Sequence, residues 1–280
     1  MRKFNLKDNA AKRMKNPDHT DAAQTETATP VPPGFRLVWR TDTGLVRKNN
    51  QDSVIIGDKL YGVADGMGGH NAGEIASGSL RDGLLRELSG KKADRETLEK
   101  AIQTVNRELF MRQEEDAALT GMGTTLTVMW VSDPEMILAQ VGDSRAYLIR
   151  NGAIQQITED HSMVADMVRS GVLTEEQAAC HPMRNYITRA VGTDDEVEAD
   201  LYSVNREAGD RWLICSDGLY GLMSKNKLEM LATIENPEDA AEQLMEAALA
   251  AGGRDNISLV LLIDDCGPND LLSNQEGDKT

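Results

Sequence analysis

Apolar and polar residues alternate over several short stretches of the chain. Phe35 to Trp39 alternates in this way and predicts a strand. Ser53 to Ile56 and Leu60 to Ala64 predict two more, split by Gly57-Asp58-Lys59, a hairpin signal. Thr124 to Val131 is rich in the Thr and Val that pleated strands favour. Met136 to Val141 and Arg145 to Ile149 follow. Asn151-Gly152 then suits a two-residue hairpin turn ahead of Ile154 to Ile157. Arg211 to Cys215 and Ile257 to Ile263 complete the set of predicted strands.

Elsewhere the period changes from two to 3.6. Asn236 is a capping residue, Pro237 suits the first helical position, and Glu238 and Asp239 suit the positive end of the dipole. Ala241, Leu244, Met245 and Ala248 then form one apolar face, and Gly252-Gly253 ends the helix. Helices also fit near 72–88 and 94–117. The strands come in hairpin-like runs, not in strict strand–helix alternation. That favours antiparallel sheets with helices packed outside them.

Composition adds boundaries. Residues 1–34 carry charge, Thr and Ala and end in Thr29-Pro30-Val31-Pro32-Pro33-Gly34. Such a stretch buries little apolar surface and reads as a disordered tail or stiff linker ahead of one domain at 35–266. Residues 267–280 read as a second polar tail. The chain has 46 acidic and 30 basic residues in 280, a formal net charge of −16. A surface this acidic disfavours nucleic acid and anionic membrane as partners. No apolar run approaches the roughly 20 residues needed to span a bilayer. The basic start has no apolar stretch behind it, so it is not a secretory signal. Cys180, Cys215 and Cys266 form no CxxC pair, which argues against a zinc knuckle or disulfide framework and for a reducing cytoplasm. A cytoplasmic monomer is the expectation.

Candidate chemistry lies in four segments of one design, an aspartate beside Gly, Ser or Asn at the end of an apolar stretch. They are Val63-Ala64-Asp65-Gly66-Met67-Gly68-Gly69, Val141-Gly142-Asp143-Ser144-Arg145, Cys215-Ser216-Asp217-Gly218 and Gly253-Arg254-Asp255-Asn256. Each alone is an ordinary turn. Together they offer hard oxygen ligands of the kind that suit Mg²⁺ or Mn²⁺. A calcium loop from Asp65 fails because Met67 and Gly69 occupy ligand positions. A dinucleotide fingerprint fails for want of its final glycine. Upstream, Arg47 precedes Asp52 and could present a guanidinium to a phosphate, or form a surface salt bridge.

Taken in order, these segments resemble a family. Arg47…Asn50-Gln51-Asp52, Asp65-Gly66-Met67-Gly68-Gly69-His70, Gly121-Met122-Gly123-Thr124-Thr125, Gly142-Asp143-Ser144-Arg145, Thr188-Arg189-Ala190-Val191-Gly192, Ser216-Asp217-Gly218-Leu219 and Asp255-Asn256 resemble the bacterial branch of the protein phosphatase 2C family. The likeness spans about 35–263. It implies a four-layer α-β-β-α sandwich of the α+β class, two antiparallel sheets face to face with helices outside. It also implies a two-metal centre between the sheets, with Mn²⁺ or Mg²⁺ and a third, weaker ion. Asp65 matches the aspartate that bridges both metals, and Gly66 the residue whose carbonyl binds one of them. Asp217 and Asp255 match ligands of the second metal, Asp143 the ligand of the third, and Asp52 an outer ligand acting through water. Arg47 matches the phosphate clamp.

The implied function is a phosphoprotein phosphatase acting on phosphoserine and phosphothreonine, opposing bacterial Ser/Thr kinases. Two metals roughly 3.5–4 Å apart would acidify a bridging water, and the resulting hydroxide would attack phosphorus. No phospho-enzyme is expected, so Cys215 reads as a buried strand residue. Animal members place a histidine where Met67 stands. His70 is carried as the candidate proton donor, beside a structural role or a metal-bound water. His161 reads as a turn or capping residue. Residues 162–187 match a mobile flap, with Gly171 and Pro182 as boundaries. A non-catalytic phosphoprotein-binding module and a hydrolase of small phosphate esters are the rival readings. The retention of Asp65, Asp217 and Asp255 speaks against the first.

Overall fold

The structure is a computed structural model that describes residues 31–68 and 72–268. Most of both polar tails, and His70, lie outside the described residues. Among the described residues eleven strands form two sheets. The first runs in the order β1 (Phe35–Asp42), β11 (Ile257–Asp264), β10 (Arg211–Cys215), β7 (Arg145–Arg150) and β8 (Ala153–Gln156). The second runs β2 (Asp52–Ile56), β3 (Leu60–Met67), β5 (Leu126–Val131), β6 (Glu135–Val141) and β9 (Asp200–Asn205), with β4 (Gly123–Thr124) pairing β3. Every strand pairing is antiparallel.

The alternation along the strands explains the layering. In β11, Ile257, Leu259, Leu261 and Ile263 point one way and Val260 and Leu262 the other. The first set packs under α6 (Lys225–Ala232) and α7 (Pro237–Ala250), against Leu231, Leu244 and Ala248. The second set meets Tyr61, Val63, Met129 and Leu138 of the opposite sheet. In β5, Val128 and Trp130 face outward onto α1 (Ala72–Leu88) and α2 (Arg95–Glu115), while Met129 and Val131 face inward. Three apolar layers thus separate four layers of structure, α-β-β-α, as the resemblance implied.

Local signals behave as their chemistry requires. Asn151 and Gly152 both have positive φ, 54° and 78°, matching the twist of a tight hairpin. The Asn236 side chain accepts from Glu238 N–H and caps α7. The stretch expected as one strand from Thr124 divides nominally at Thr125, but Thr125 N–H donates to Asp65 O at 2.9 Å, so its register on β3 is unbroken. Three regular elements, β9, the short helix α5 (Asp217–Tyr220) and α6, fall where no element was predicted. The expected flap contains α3 (Met163–Arg169) and α4 (Glu175–Ala179), capped by Ser162 and by a Thr174/Gln177 capping box. Its ends are tied together by a Ser162–Ile187 bridge and by Thr188 N–H donating to His161 O at 2.8 Å.

Candidate metal centre

The topology brings acidic strand ends from both sheets to one edge of the sandwich. Asp52 opens β2 and pairs directly with Asp65 of β3, so neighbouring strands carry two carboxylates side by side. From the other sheet, Asp217 follows β10 and begins the short helix α5 (Asp217–Tyr220). Asp255 stands just ahead of β11, and Asp143 lies in the turn from β6 to β7. Ser216 Oγ donates to Asp52 Oδ2 at 2.8 Å and ties the two sheets together there.

The surroundings hold each carboxylate in place. Asp65 N–H donates to Thr125 Oγ1 at 2.9 Å, and Thr124 Oγ1 donates to Asp65 O at 3.0 Å. A Cβ on Gly66 would lie 2.0 Å from Gly73 O, so only glycine lets α1 begin this close to β3. The Asp143 turn is gripped from three sides. Tyr220 OH donates to Asp143 O at 2.8 Å. Arg145 lies 3.7 Å over the Tyr220 ring and forks onto Asp160. His161 Nδ1 accepts from Gly142 N–H at 3.2 Å while its Nε2 stands 3.2 Å from Asp200 Oδ2. His161 is therefore a buried junction between the Asp143 turn and β9. Of the turn or capping role expected for it, the cap belongs to Ser162 instead.

So many carboxylates in one place repel each other. Burial, and then the charges of Asp217 and Asp255, raise the Asp52 carboxyl to about 7. Burial followed by Asp217 and Asp160 raises Asp143 to about 8. Burial and Asp255 raise Asp217 to about 6, against a lowering by Arg47. Asp65 is pushed well above the ordinary carboxylate range, by burial first and then by Asp52, Asp217, Asp143 and Asp255. Asp52 Oδ1 and Asp217 Oδ1 are buried with no hydrogen-bond partner among the described residues. Groups in this state call for protons or for cations.

Arg47 is half-exposed and donates from Nη2 to Asp255 Oδ2 at 2.7 Å. The expected clamp thus borders the acidic cluster with its fork on an oxyanion. All the predicted site residues that are described, Arg47, Asp52, Asp65, Gly66, Asp143, Asp217 and Asp255, belong to this one edge. His70 lies outside the described residues. Cys215 is fully buried, and burial pushes its thiol up, as suits an inert strand residue. Tyr220, Asp160 and Ser216 were not singled out from sequence. Their position next to the aspartate motifs was the available signal.

The residues fit divalent cations. All the candidate donors are hard oxygens, two of them unpartnered among the described residues, and Arg47 and Arg145 bring positive charge to the cluster. Among the described residues no three acidic, His or Cys side chains form a closed cage on one point. A Mg²⁺-like ion needs none, since it keeps several waters and takes one or two carboxylates.

Known proteins share this arrangement. The description "Protein phosphatase 2C" belongs to the family whose profile matches residues 39–166. The chain is 41% identical over 230 residues to serine/threonine protein phosphatase PstP of Mycobacterium tuberculosis, covering 81% of this chain and 44% of that protein. It therefore spans less than half the length of that relative. It is 36% identical over 236 residues to serine/threonine phosphatase stp of Listeria monocytogenes, covering 80% of this chain and 94% of that one. A crystal structure of the PstP catalytic domain in complex with 2 manganese ions matches with a TM-score of 0.76 at 38% identity, over 82% of this chain and 97% of that one. Identity at this level across nearly the whole of a relative, with the fold shared as well, means that the chain belongs to the protein phosphatase 2C family.

Proposed function

We propose that this protein is a metal-dependent phosphatase that hydrolyses phosphoserine and phosphothreonine in other proteins. The observation that carries the reading is the convergence of five aspartates beside Arg47, with two buried carboxylate oxygens lacking a partner among the described residues. In this reading Asp65, the Gly66 carbonyl, Asp217 and Asp255 hold two Mn²⁺ or Mg²⁺ ions, Asp143 serves a third, and Asp52 acts through water. Bound there, the ions supply the Lewis acidity that makes water nucleophilic near neutral pH and offsets phosphate charge.

The chain's own groups do the rest. Arg47 turns its N–H fork from Asp255 to the phosphate and orients it for in-line attack. Ser216 keeps Asp52 aligned, and Tyr220 with Arg145 keeps the Asp143 turn in register. His70 is the proposed proton donor to the leaving alkoxide. Residues 35–266 make up the catalytic domain, and 162–187 form a flap over its entrance. The substrates are phosphorylated Ser/Thr kinases and their targets in the same cytoplasm, met by a monomeric enzyme. The serine/threonine phosphatases among its bacterial relatives support the phosphatase reading itself.

The test is phosphate release from a phosphothreonine peptide with Mn²⁺ and with EDTA, for wild type and Asp217→Asn. Metal-dependent release that is lost in the variant is the expected result. A folded protein with no release at any metal concentration would overturn the reading.

A further inference from the structure

One side chain at the acidic edge is neither a carboxylate nor a clamp, yet it stands next to a carboxylate in sequence and bonds to the loop that carries the clamp. Asn256 is buried, with 4% of its surface exposed, between Asp255 and β11. Its Nδ2 donates to Thr43 O at 3.0 Å and to Asn49 O at 2.9 Å. Its Oδ1 accepts from Gln51 N–H at 2.8 Å. Two carbonyls on one side and an N–H on the other leave a single sense for the amide. The three partners lie on both sides of Arg47, at the two ends of the β1–β2 loop. Other bonds share the work: Gly44 N–H donates to Asp42 Oδ1 at 2.7 Å, Asn50 Nδ2 donates to Thr41 Oγ1 at 2.7 Å, and Gln51 O accepts from Gly66 N–H at 3.1 Å and from Ser77 Oγ at 2.6 Å. Leu45 N–H donates to Gly253 O at 2.7 Å, and Arg47 reaches Asp255.

Backbone contact reinforces the seat. Gly44 has φ of +78°, and a Cβ there would lie 2.1 Å from Asp255 O. A Cβ on Gly218 would lie 1.9 Å from Asn256 O, so the Asp217 turn presses on the same residue from the other side. Leu45 and Val46 are largely exposed, so apolar burial contributes little to holding the loop. Its position rests on polar bonds, and three of them come from one amide.

The geometry points to Asn256 as the positioning residue that seats the Arg47 loop against the Asp255 and Asp217 turns. This rests on the phosphatase reading above and deepens it. Arg47 gains its aim at the phosphate from Asn256, which fixes the loop at residues 43, 49 and 51. The neighbouring Asp255 shares that residue's backbone, so clamp and carboxylate keep one spacing. Removing the amide frees the loop without removing the guanidinium.

The experiment combines Asn256→Ala with Arg47→Ala in the Mn²⁺-loaded protein. The readouts are KM and kcat on a phosphothreonine peptide, inhibition by inorganic phosphate, and amide hydrogen exchange over 43–51. Asn256→Ala is expected to raise KM and the phosphate inhibition constant roughly tenfold, since small misplacements of a positioning group cost this much or more. In the Arg47→Ala background it is expected to add almost nothing, because the two substitutions remove one function. Exchange should quicken over 43–51 and not in β11. Asn256→Ser, a smaller perturbation, serves if the alanine variant does not fold. Losses that add in full in the double variant, or exchange unchanged over 43–51 in an active enzyme, would overturn the positioning role. A wild type without metal-dependent turnover would overturn the phosphatase reading, and with it any catalytic purpose for the seat.

Discussion

Asp52 shows the chemistry of the site at the scale of one residue. One of its carboxylate oxygens accepts from Ser216, and the other is buried without a partner among the described residues. With Asp143 and Asp217 it titrates late, near 7, 8 and 6 respectively. In the unfolded chain these groups titrate near 4. A carboxyl whose pKa rises on folding keeps its proton longer in the native state. Its contribution to stability is complete below about pH 4 and is lost as pH climbs through 6 to 8. The metal-free protein should therefore melt at a lower temperature at pH 8.5 than at pH 5.5. Mn²⁺ should raise the midpoint more at the higher pH, where the carboxylates are already ionised and repelling. Thermal melts in EDTA and in Mn²⁺ at both pH values check this. A midpoint that ignores metal and pH would remove the electrostatic account of the centre.

At the scale of elements, the segment 162–187 contrasts with the sandwich beneath it. Its helices are short, and most of its residues are exposed. Local features hold it: the Ser162 cap, the Thr174 capping box, and the bridge that closes its base. An N-cap is worth about 1 kcal/mol. Because few core contacts depend on this segment, that loss should appear as local opening, not as global unfolding. The double variant Ser162→Ala, Thr174→Ala should be cut faster by trypsin at Arg169 or Arg184, with its melting midpoint unchanged. Equal cutting rates in variant and wild type would show that the caps do not hold the segment.

Across the whole molecule, the far end of the sandwich is organised by charge as well. Arg206 and Asp264 are both fully buried and face each other with N–O distances of 2.7 and 3.0 Å. Arg206 also donates to Gly267 O and lies 4.7 Å over the Phe35 ring. It thereby joins the segment after β9, the end of β11 and the start of β1. Removing one partner of such a pair leaves the other charge buried alone, at a cost of about 3–5 kcal/mol. Arg206→Ala should lower unfolding stability by that amount in denaturant titrations. The fraction still folded should keep its turnover number, since the acidic edge lies among other strand ends. A variant as stable as wild type would mean that Asp264 finds other compensation.

Much of this protein is legible along the chain, for local reasons. Periodicity and residue type mark nine strands and three helices because one or both faces of those elements meet a core. The aspartates stand out because each sits beside the Gly, Ser or Asn that a tight strand end requires. Their order carried the family likeness, and with it the two sheets and the expectation of a metal centre and a phosphate clamp. Other features depend on partners distant in sequence. β9 is an edge strand of mixed character, Asp200-Leu201-Tyr202-Ser203-Val204-Asn205, half-buried on one side, so its pattern stays weak until β6 pairs with it. The pairing of Asp52 with Asp65, the bond from Ser216 to Asp52, the grip of Tyr220 and His161 on the Asp143 turn, and the seating of the Arg47 loop by Asn256 all join residues remote along the chain. Propensity and periodicity report on neighbours within a few residues. Hydrogen bonds and charge repulsion across two packed sheets come into being only when the chain has folded.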